Sequence, residues 1–353
     1  MKKILIVKYD QFGYSAAYHY YSQYLSSKYV VDYLSVDYGF KKIESPNINI
    51  IYIDHKEKKY IRYLTFIFKI LQLSYQNKYD SILICYFKFV FFTGIFIKNK
   101  NKIIDIRTGD LSGNRIIRKF KNLIIKFNTY PFYQITTLSK SMRETLKLSL
   151  KKTRIVPLGA IPLVSGPKEF KKISLLYVGT FNKRNIEMTI EGLALYLKEY
   201  SDVIGYDIIG FGKEEETKKI KTYIIDNNLT DIVTLHGRMN HQQLIPYFKK
   251  ANIGVCFVPN TDFYNIQPST KLFEYALSGL FTIATNTHEN SLFISDKNGV
   301  LCEDTASGFA KALRECHNKK DTMDSNIIYN SLQEYHWESI VENKLTQVIE
   351  NKF

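Results

Sequence analysis

Four short segments in the second half of the chain carry residue types suited to holding phosphate and sugar hydroxyls. In the first, the apolar run Leu175-Leu176-Tyr177-Val178 ends at Gly179, followed by Thr180, Phe181, Asn182 and two adjacent cations, Lys183 and Arg184. Glycine lets a backbone approach a ligand closely, and cations beside a helix N-terminus attract phosphate. The pattern is neither the G-x-G-x-x-G dinucleotide fingerprint nor a Walker loop. A second apolar run ends in Gly210-Phe211-Gly212, and a third in His236-Gly237-Arg238, where Arg238 can face a diphosphate. The richest segment runs from Gln267 to Thr285. Pro268, Ser269 and Thr270 read as a helix start whose free N–H groups, with Lys271 beside them, can hold phosphate. Glu274, about one turn further on, can accept hydrogen bonds from ribose hydroxyls, and Gly279 closes the helix. Each feature also has an ordinary structural reading, as a tight turn or a solvated surface group. The phosphate chemistry rests on all four occurring together at the ends of successive strand-like runs.

Those runs alternate with helix-length segments, the pattern of a parallel sheet with crossover helices. In the first half, strands are predicted at Ile4–Val7, Val31–Val36, Ile48–Ile53, Ser81–Cys85, Lys102–Asp105, Gln134–Leu138 and Thr153–Val156, with a helix over Ala16–Leu25. Pro157–Lys172 holds three prolines and two glycines and reads as a linker. Beyond it the alternation restarts: strands at Ser174–Val178, Tyr206–Ile209, Ile232–Leu235, Ile253–Phe257 and Phe281–Ala284, and helices over Ile186–Tyr200, Glu214–Asn227, Gln242–Lys250 and Thr270–Leu277. The organisation predicted is an α/β chain of two doubly wound domains, 1–163 and 173–325, with 326–353 as a closing helix. In that last stretch Trp337, Ile340, Val341, Leu345, Val348 and Ile349 recur at helical spacing.

The chain has 353 residues and a net charge of +15, unevenly placed. Residues 1–165 hold 28 Lys and Arg against 10 Asp and Glu, whereas residues 166–353 hold 21 against 24, so the basic character belongs to the first half alone. Such asymmetry suggests an anionic partner for that half. Two basic amphipathic stretches fit it. Lys56–Leu73 combines Lys58, Lys59, Arg62 and Lys69 with many aromatics, and Arg115–Phe127 carries Ile116, Phe120, Leu123 and Phe127 on one face. Such helices either cover a sheet or lie in an anionic membrane interface. No nucleic-acid recognition motif is present, so nucleic acid is not an expected partner. The longest apolar run, Ile82–Ile97, contains Lys88 and is too short to span a bilayer, and the N-terminus lacks a signal-peptide core. Cys85, Cys256, Cys302 and Cys316 have no zinc spacing and read as reduced structural thiols in a cytoplasmic protein.

Together, the four phosphate-type segments resemble the C-terminal domain of the large retaining family often called family 4 glycosyltransferases, most closely over Ser174–Thr287. The resemblance implies the GT-B fold: two Rossmann-like doubly wound domains facing a cleft, the closing helix crossing back to the first. It implies that Gly179, Thr180, Gly210, Gly237, Arg238, Gln267, Ser269, Thr270, Lys271 and Glu274 bind the donor, with Lys183 or Arg184 on its diphosphate and Glu274 on the ribose. Thr180 stands where the family has an arginine, and Ile266 where it has the first glutamate of its E-x7-E motif. In the first half, Asp105-Ile106-Arg107-Thr108-Gly109-Asp110 looks like the D-x-R-D region of bacterial surface-polysaccharide glycosyltransferases. That makes Asp105, Arg107 and Asp110 catalytic or acceptor-side candidates, with Gly13 and Tyr14 in the family's acceptor-side loop.

The function implied is transfer of a sugar from a UDP- or GDP-linked donor to a glycan acceptor, lipid-linked, in capsule, O-antigen or exopolysaccharide synthesis, with retention. No Asp-x-Asp motif occurs, so neither metal nor other cofactor is expected. The expected location is the cytoplasm, peripheral on the inner face of the plasma membrane. Two other readings remain: a sugar-nucleotide epimerase of similar architecture, and a catalytically silent glycan- or lipid-binding protein, which Thr180 and Ile266 keep open.

Overall fold

A computed structural model describes residues 1–56, 58–110, 112 and 114–352, without the side chain of Lys59. The chain forms two compact units, 1–159 with 337–353, and 160–336.

The first unit is built on a parallel sheet of β1 (Lys3–Val7), β2 (Val30–Asp37), β3 (Ile48–Asp54), β4 (Ser81–Cys85), β5 (Lys102–Ile106), β6 (Gln134–Thr137) and β7 (Thr153–Ile155), in the order β3-β2-β1-β4-β5-β6-β7. Its central strands are near-continuous apolar runs because helices cover both faces. The connecting helices are α1 (Ala16–Leu25), α2 (Lys59–Gln76), α3 (Val90–Phe96), α4 (Arg115–Asn128) and α5 (Lys140–Thr145). The long apolar run Ile82–Ile97 thus divides between β4 and α3, with Phe89 in the left-handed region just before the helix.

The closing segment joins this unit. The Trp337 ring stacks on Tyr20 at 6.0 Å and meets Tyr21 edge-on at 5.7 Å. It lies where a side chain on Gly159 would otherwise be: a Cβ there would come within 2.7 Å of the indole. At the far end, Asn101 Nδ2 donates to Ile349 O (2.6 Å) and Gln134 Nε2 to Val348 O (3.0 Å). The segment is not one regular helix. An α-helical start, Trp337–Ile340, widens into a π-turn over Val341–Leu345 before α-helix resumes at Thr346–Glu350. Residues 326–336, expected to travel with it, belong to the second unit instead. There Ser325 Oγ accepts the Lys168 N–H, and the Tyr335 ring packs on Phe273 and Phe293 at 5.0 and 5.1 Å.

The second unit holds β8 (Ile173–Thr180), β9 (Val203–Phe211), β10 (Val233–His236), β11 (Ile253–Cys256), β12 (Phe281–Thr285) and β13 (Gly299–Cys302), all parallel, in the order β10-β9-β8-β11-β12-β13. The helices are α6 (Glu187–Leu197), α7 (Glu214–Asp226), α8 (His241–Lys250), α9 (Thr270–Leu277), α10 (His288–Ser291), α11 (Ala306–Lys319) and α12 (Ser325–Ser331). The sheet grows one way from β8 through β9 and the other way from β8 through β11. The loops leaving β8 and β11 therefore part at a topological switch point, where doubly wound sheets bind ligands.

One contact fixes α9 at that point. The Tyr275 hydroxyl accepts the Val178 N–H at 2.8 Å, and its ring lies flush on β11 at Gly254, where a Cβ would meet Tyr275 Cγ at 2.3 Å. Gly254→Ala is therefore expected to push α9 off the sheet and cost about 1–3 kcal/mol, as overpacked cores do. Urea denaturation of the variant measures the loss.

Candidate functional site

A cavity of about 290 Å³ opens at the switch point of the second unit. Its floor comes from the ends of β8 and β11, Tyr177–Thr180 and Val255–Val258, and its walls from Arg184, the Phe263–Tyr264 pair and the start of α9. The floor is tightly fitted. Gly179 and Gly210 are in register on β8 and β9, and a Cβ on Gly210 would lie 1.8 Å from Gly179 O. The Tyr177 hydroxyl donates to Thr180 O at 2.8 Å and occupies the space beside Gly179. Burial raises the Tyr177 pKa, with nearby Arg184 opposing the shift, so the phenol stays protonated.

The cationic loop is held in an unusual backbone. Lys183 and Asn185, on either side of Arg184, have φ of 54° and 53°, which non-glycine residues adopt at a cost. Lys183 N donates to Glu216 Oε1 at 2.9 Å, and Phe181 N to Phe211 O at 2.8 Å, fixing the turn from both ends. The result aims Arg184 into the cavity, its guanidinium 4.8 Å from the Tyr264 ring centroid. Lys183 is exposed and does not line the cavity.

Ser269, Thr270 and Lys271 present the N-terminus of α9 to the same space. The Ser269 side chain makes no capping hydrogen bond to the helix. Beneath it, Cys256 is a buried thiol whose pKa is raised by burial, against smaller opposing effects of Ser269 and Arg184. Lys271 Nζ pairs with the Glu274 carboxylate one turn further along. Glu274 itself lies behind the lining, connected to the cavity through Lys271. Two cations, a helix N-terminus and an aromatic wall thus meet in one space, an arrangement suited to a diphosphate with a flat base or sugar against it.

Of the residues singled out from the sequence, Gly179, Thr180, Arg184, Gln267, Ser269, Thr270 and Lys271 share this cavity. Gly210, Gly237 and Arg238 line a separate hollow of about 310 Å³ at the ends of β9 and β10. There Arg238 stacks on Phe211 at 4.9 Å, and His236 Nε2 and Lys250 Nζ both engage Asp207, at 2.8 and 3.0 Å.

Asp105, Arg107, Asp110, Gly13 and Tyr14 belong to the first unit. Asp105, 1% exposed, accepts hydrogen bonds from Tyr18 Oη (2.9 Å) and Thr136 Oγ1 (2.7 Å). Arg107 Nε stands 3.9 Å from it, while Nη1 donates to Tyr21 Oη (2.8 Å) and Val156 O (3.0 Å). Burial works against the Arg107 charge, but Tyr21 and Asp105 outweigh it and raise its pKa. Asp105 is thereby engaged inside the unit by Tyr18, Thr136 and Arg107. Asp110 binds Ser112 N at 2.8 Å and Lys121 Nζ at 3.2 Å; partial desolvation works against its charge, but these bonds outweigh it and lower its pKa. Gly13 has φ +87°, and a Cβ there would meet Ile43 Cδ1 at 2.3 Å, so glycine is required for packing as well as backbone. Tyr14 is exposed and donates to Lys41 O at 3.0 Å.

Sequence reasoning passed over Tyr177, Phe263 and Tyr264; the signal available was an aromatic pair in a strand-to-helix loop at the switch point. It also passed over Glu289, 1% exposed on α10, whose carboxylate oxygens have no hydrogen-bond partner among the described residues. Its neighbour Asn290 accepts the Ser269 N–H at 3.4 Å, which puts α10 against the start of α9. Gln267 Oε1, in the cavity lining, is likewise buried and unpartnered among the described residues.

Residues 172–319 match the family model described as "Glycosyl transferases group 1". Three solved structures share the whole fold at low identity. Sucrose-phosphate synthase from Thermosynechococcus elongatus is 17% identical with a TM-score of 0.75, covering 100% of this chain and 99% of that one. The lipopolysaccharide outer core galactosyltransferase WaaB is 14% identical at 0.72, covering 99% and 100%. HepE from Anabaena, crystallised with UDP, is 12% identical at 0.72, again covering 99% and 100%. No curated protein matches by sequence. That match lies within the second unit, and the whole chain has the GT-B fold of these structures.

The buried Asp105 network makes a prediction of its own. Asp105→Ala leaves Arg107 without its carboxylate and is expected to cost about 3 kcal/mol or more, as breaking a buried ion pair does. Urea denaturation measures the loss.

Proposed function

We propose that this protein transfers a sugar from a UDP- or GDP-linked donor to a lipid-linked glycan in the synthesis of a bacterial surface polysaccharide, with retention of anomeric configuration and without a metal. The observation that carries the reading is the convergence of Arg184, Lys271 and the N-terminus of α9 on one cavity at the switch point of the second sheet. The diphosphate of the donor lies against these groups, and Tyr264 forms the wall beside it. As the bond from the anomeric carbon to the diphosphate oxygen breaks, negative charge grows on the departing phosphate. Fixed donors aimed at that charge lower the barrier more than the same groups would in water. Lys271 serves one carboxylate and one phosphate at once, and Glu274, held on it, receives the ribose hydroxyls. Thr180 replaces one cation of the family pattern, so Arg184 and Lys271 bear the phosphate charge between them.

The nucleotides bound to HepE support a nucleotide-sugar donor, and UDP-glucose is one candidate among several. The acceptor belongs with the first unit, whose excess of cations favours an anionic, phosphate-bearing substrate. The protein acts at the inner face of the plasma membrane, held there by its surface.

A thermal-shift screen against UDP, GDP and their sugars tests the reading. One nucleotide should raise the melting temperature. Arg184→Ala and Lys271→Ala should each weaken its binding about tenfold, the scale of one charge-assisted contact. Glu274→Ala should lose the preference for a ribonucleotide over inorganic diphosphate. No stabilisation by any nucleotide would remove the donor site. Conversion of a sugar nucleotide without acceptor would instead make the protein an epimerase.

A further inference from the structure

Helix α4 is amphipathic with its faces reversed. Ile116, Phe120, Leu123 and Phe127 recur at helical spacing and are 79, 63, 60 and 62% exposed, whereas its buried residues are Ile125 and Asn128. The polar side attaches the helix to its unit: Asn122 Oδ1 accepts the Asp110 N–H, Lys121 pairs with Asp110, and Asn128 Oδ1 accepts the Phe91 N–H. A helix packed only for sheet cover would turn its apolar stripe inward. This one offers it to the outside.

The apolar surface continues onto two neighbours. Phe91 of α3 stacks on Phe127 at 4.7 Å, and α3 leaves Phe92 and Phe96 about half exposed. Tyr75 of α2 donates to Phe96 O at 2.8 Å, and α2 presents Tyr60, Leu64 and Phe68 at 64, 56 and 68% exposure. Exposed apolar side chains continuous over three helices mark an interaction site.

Charge decides the partner. Residues 58–79, 81–104 and 111–143 contain sixteen Lys and Arg and not one Asp or Glu. Where α4 ends, a groove of about 710 Å³ has Leu123, Phe127 and Ile135 in its wall, with Lys126, Lys147 and Lys152 around them. Apolar side chains ringed by lysine alone complement acyl chains below a layer of phosphate. A second copy of the same face would bring cation against cation. Among the described residues no helix is long and apolar enough to cross a membrane.

We propose that the α2–α3–α4 face docks on an anionic lipid bilayer, with the α4 stripe entering the acyl boundary and the groove at its end holding one lipid phosphate headgroup. This deepens the proposed lipid-linked acceptor by naming the surface that brings the enzyme to it. Docking itself needs no turnover.

Flotation of the full-length protein with vesicles tests it. Binding is expected to vesicles containing phosphatidylglycerol, to be absent with phosphatidylcholine alone, and to weaken with salt. Phe120→Ser with Leu123→Ser, and separately Lys119→Gln with Lys126→Gln and Lys147→Gln, should each reduce binding about tenfold or more. All these side chains are at least partly solvent-exposed, and unchanged circular dichroism and melting confirm that the variants fold. The proposal is overturned if wild type ignores anionic vesicles, binds neutral ones equally, or is unaffected by both sets of substitutions. A dimer that the Phe120/Leu123 pair abolishes would give the face to a second copy. Vesicle binding without any nucleotide-induced shift would leave docking standing and sink the donor reading; the opposite result would sink docking alone.

Discussion

The hydroxyl of Tyr275 reaches across from α9 to the backbone of β8, and the ring that carries it lies on the bare backbone of β11. Everything at the cavity follows from that one side chain. It holds the helix start against the two strands that part at the switch point, so that Ser269, Thr270 and Lys271 line the same cavity as Arg184. Gly254 is the other half of the contact, because any side chain on β11 at that position would lift the helix. The phosphate-type residues are scattered over more than ninety positions of sequence, from Gly179 to Lys271, and come together through this packing.

The two units divide the physical work. The second carries a nearly balanced charge and concentrates its few functional cations in a cavity. The first spends its polar residues on internal order and its cations on the outside. Asp105 gathers Tyr18, Thr136 and Arg107 around it, and Arg107 in turn donates to Tyr21. Gln11 shows the same economy: nearly fully buried, it binds Tyr38 and Phe40 backbone groups and fixes the loop over Gly13.

Much of this was legible in the sequence because parallel sheets write themselves as apolar runs separated by helices. Helices α1 and α9 fall at Ala16–Leu25 and Thr270–Leu277 as predicted, and the strand predictions lie on β1 to β12 with ends shifted by a few residues. What failed did so for identifiable reasons. β13 and α11 lie beyond Thr285, where no glycine-ended strand drew attention. The strand predicted at Ser81–Cys85 is β4, but the apolar run that continues to Ile97 gave no sign of α3, because a strand and a buried helix look alike in so apolar a stretch. Periodicity showed that Ile116, Phe120, Leu123 and Phe127 share a face of α4, but could not say whether that face points inward; only the polar attachments of Asn122 and Asn128 decide it. At the site, glycine and charge were visible, but Tyr264 was not, since an aromatic in a loop gains meaning only from what it stacks on. The separation of Arg238 from Arg184 is equally a three-dimensional fact, for each follows its own strand end.

The backbone around Arg184 has a thermodynamic meaning beyond its shape. Lys183 and Asn185 occupy left-handed conformations, and hydrogen bonds to β9 and α7 hold the turn that carries them. Rotational freedom that a looser loop would forfeit on association has already been surrendered during folding. An incoming anion therefore meets a guanidinium that need not search for its orientation. More of the gross attraction survives as affinity.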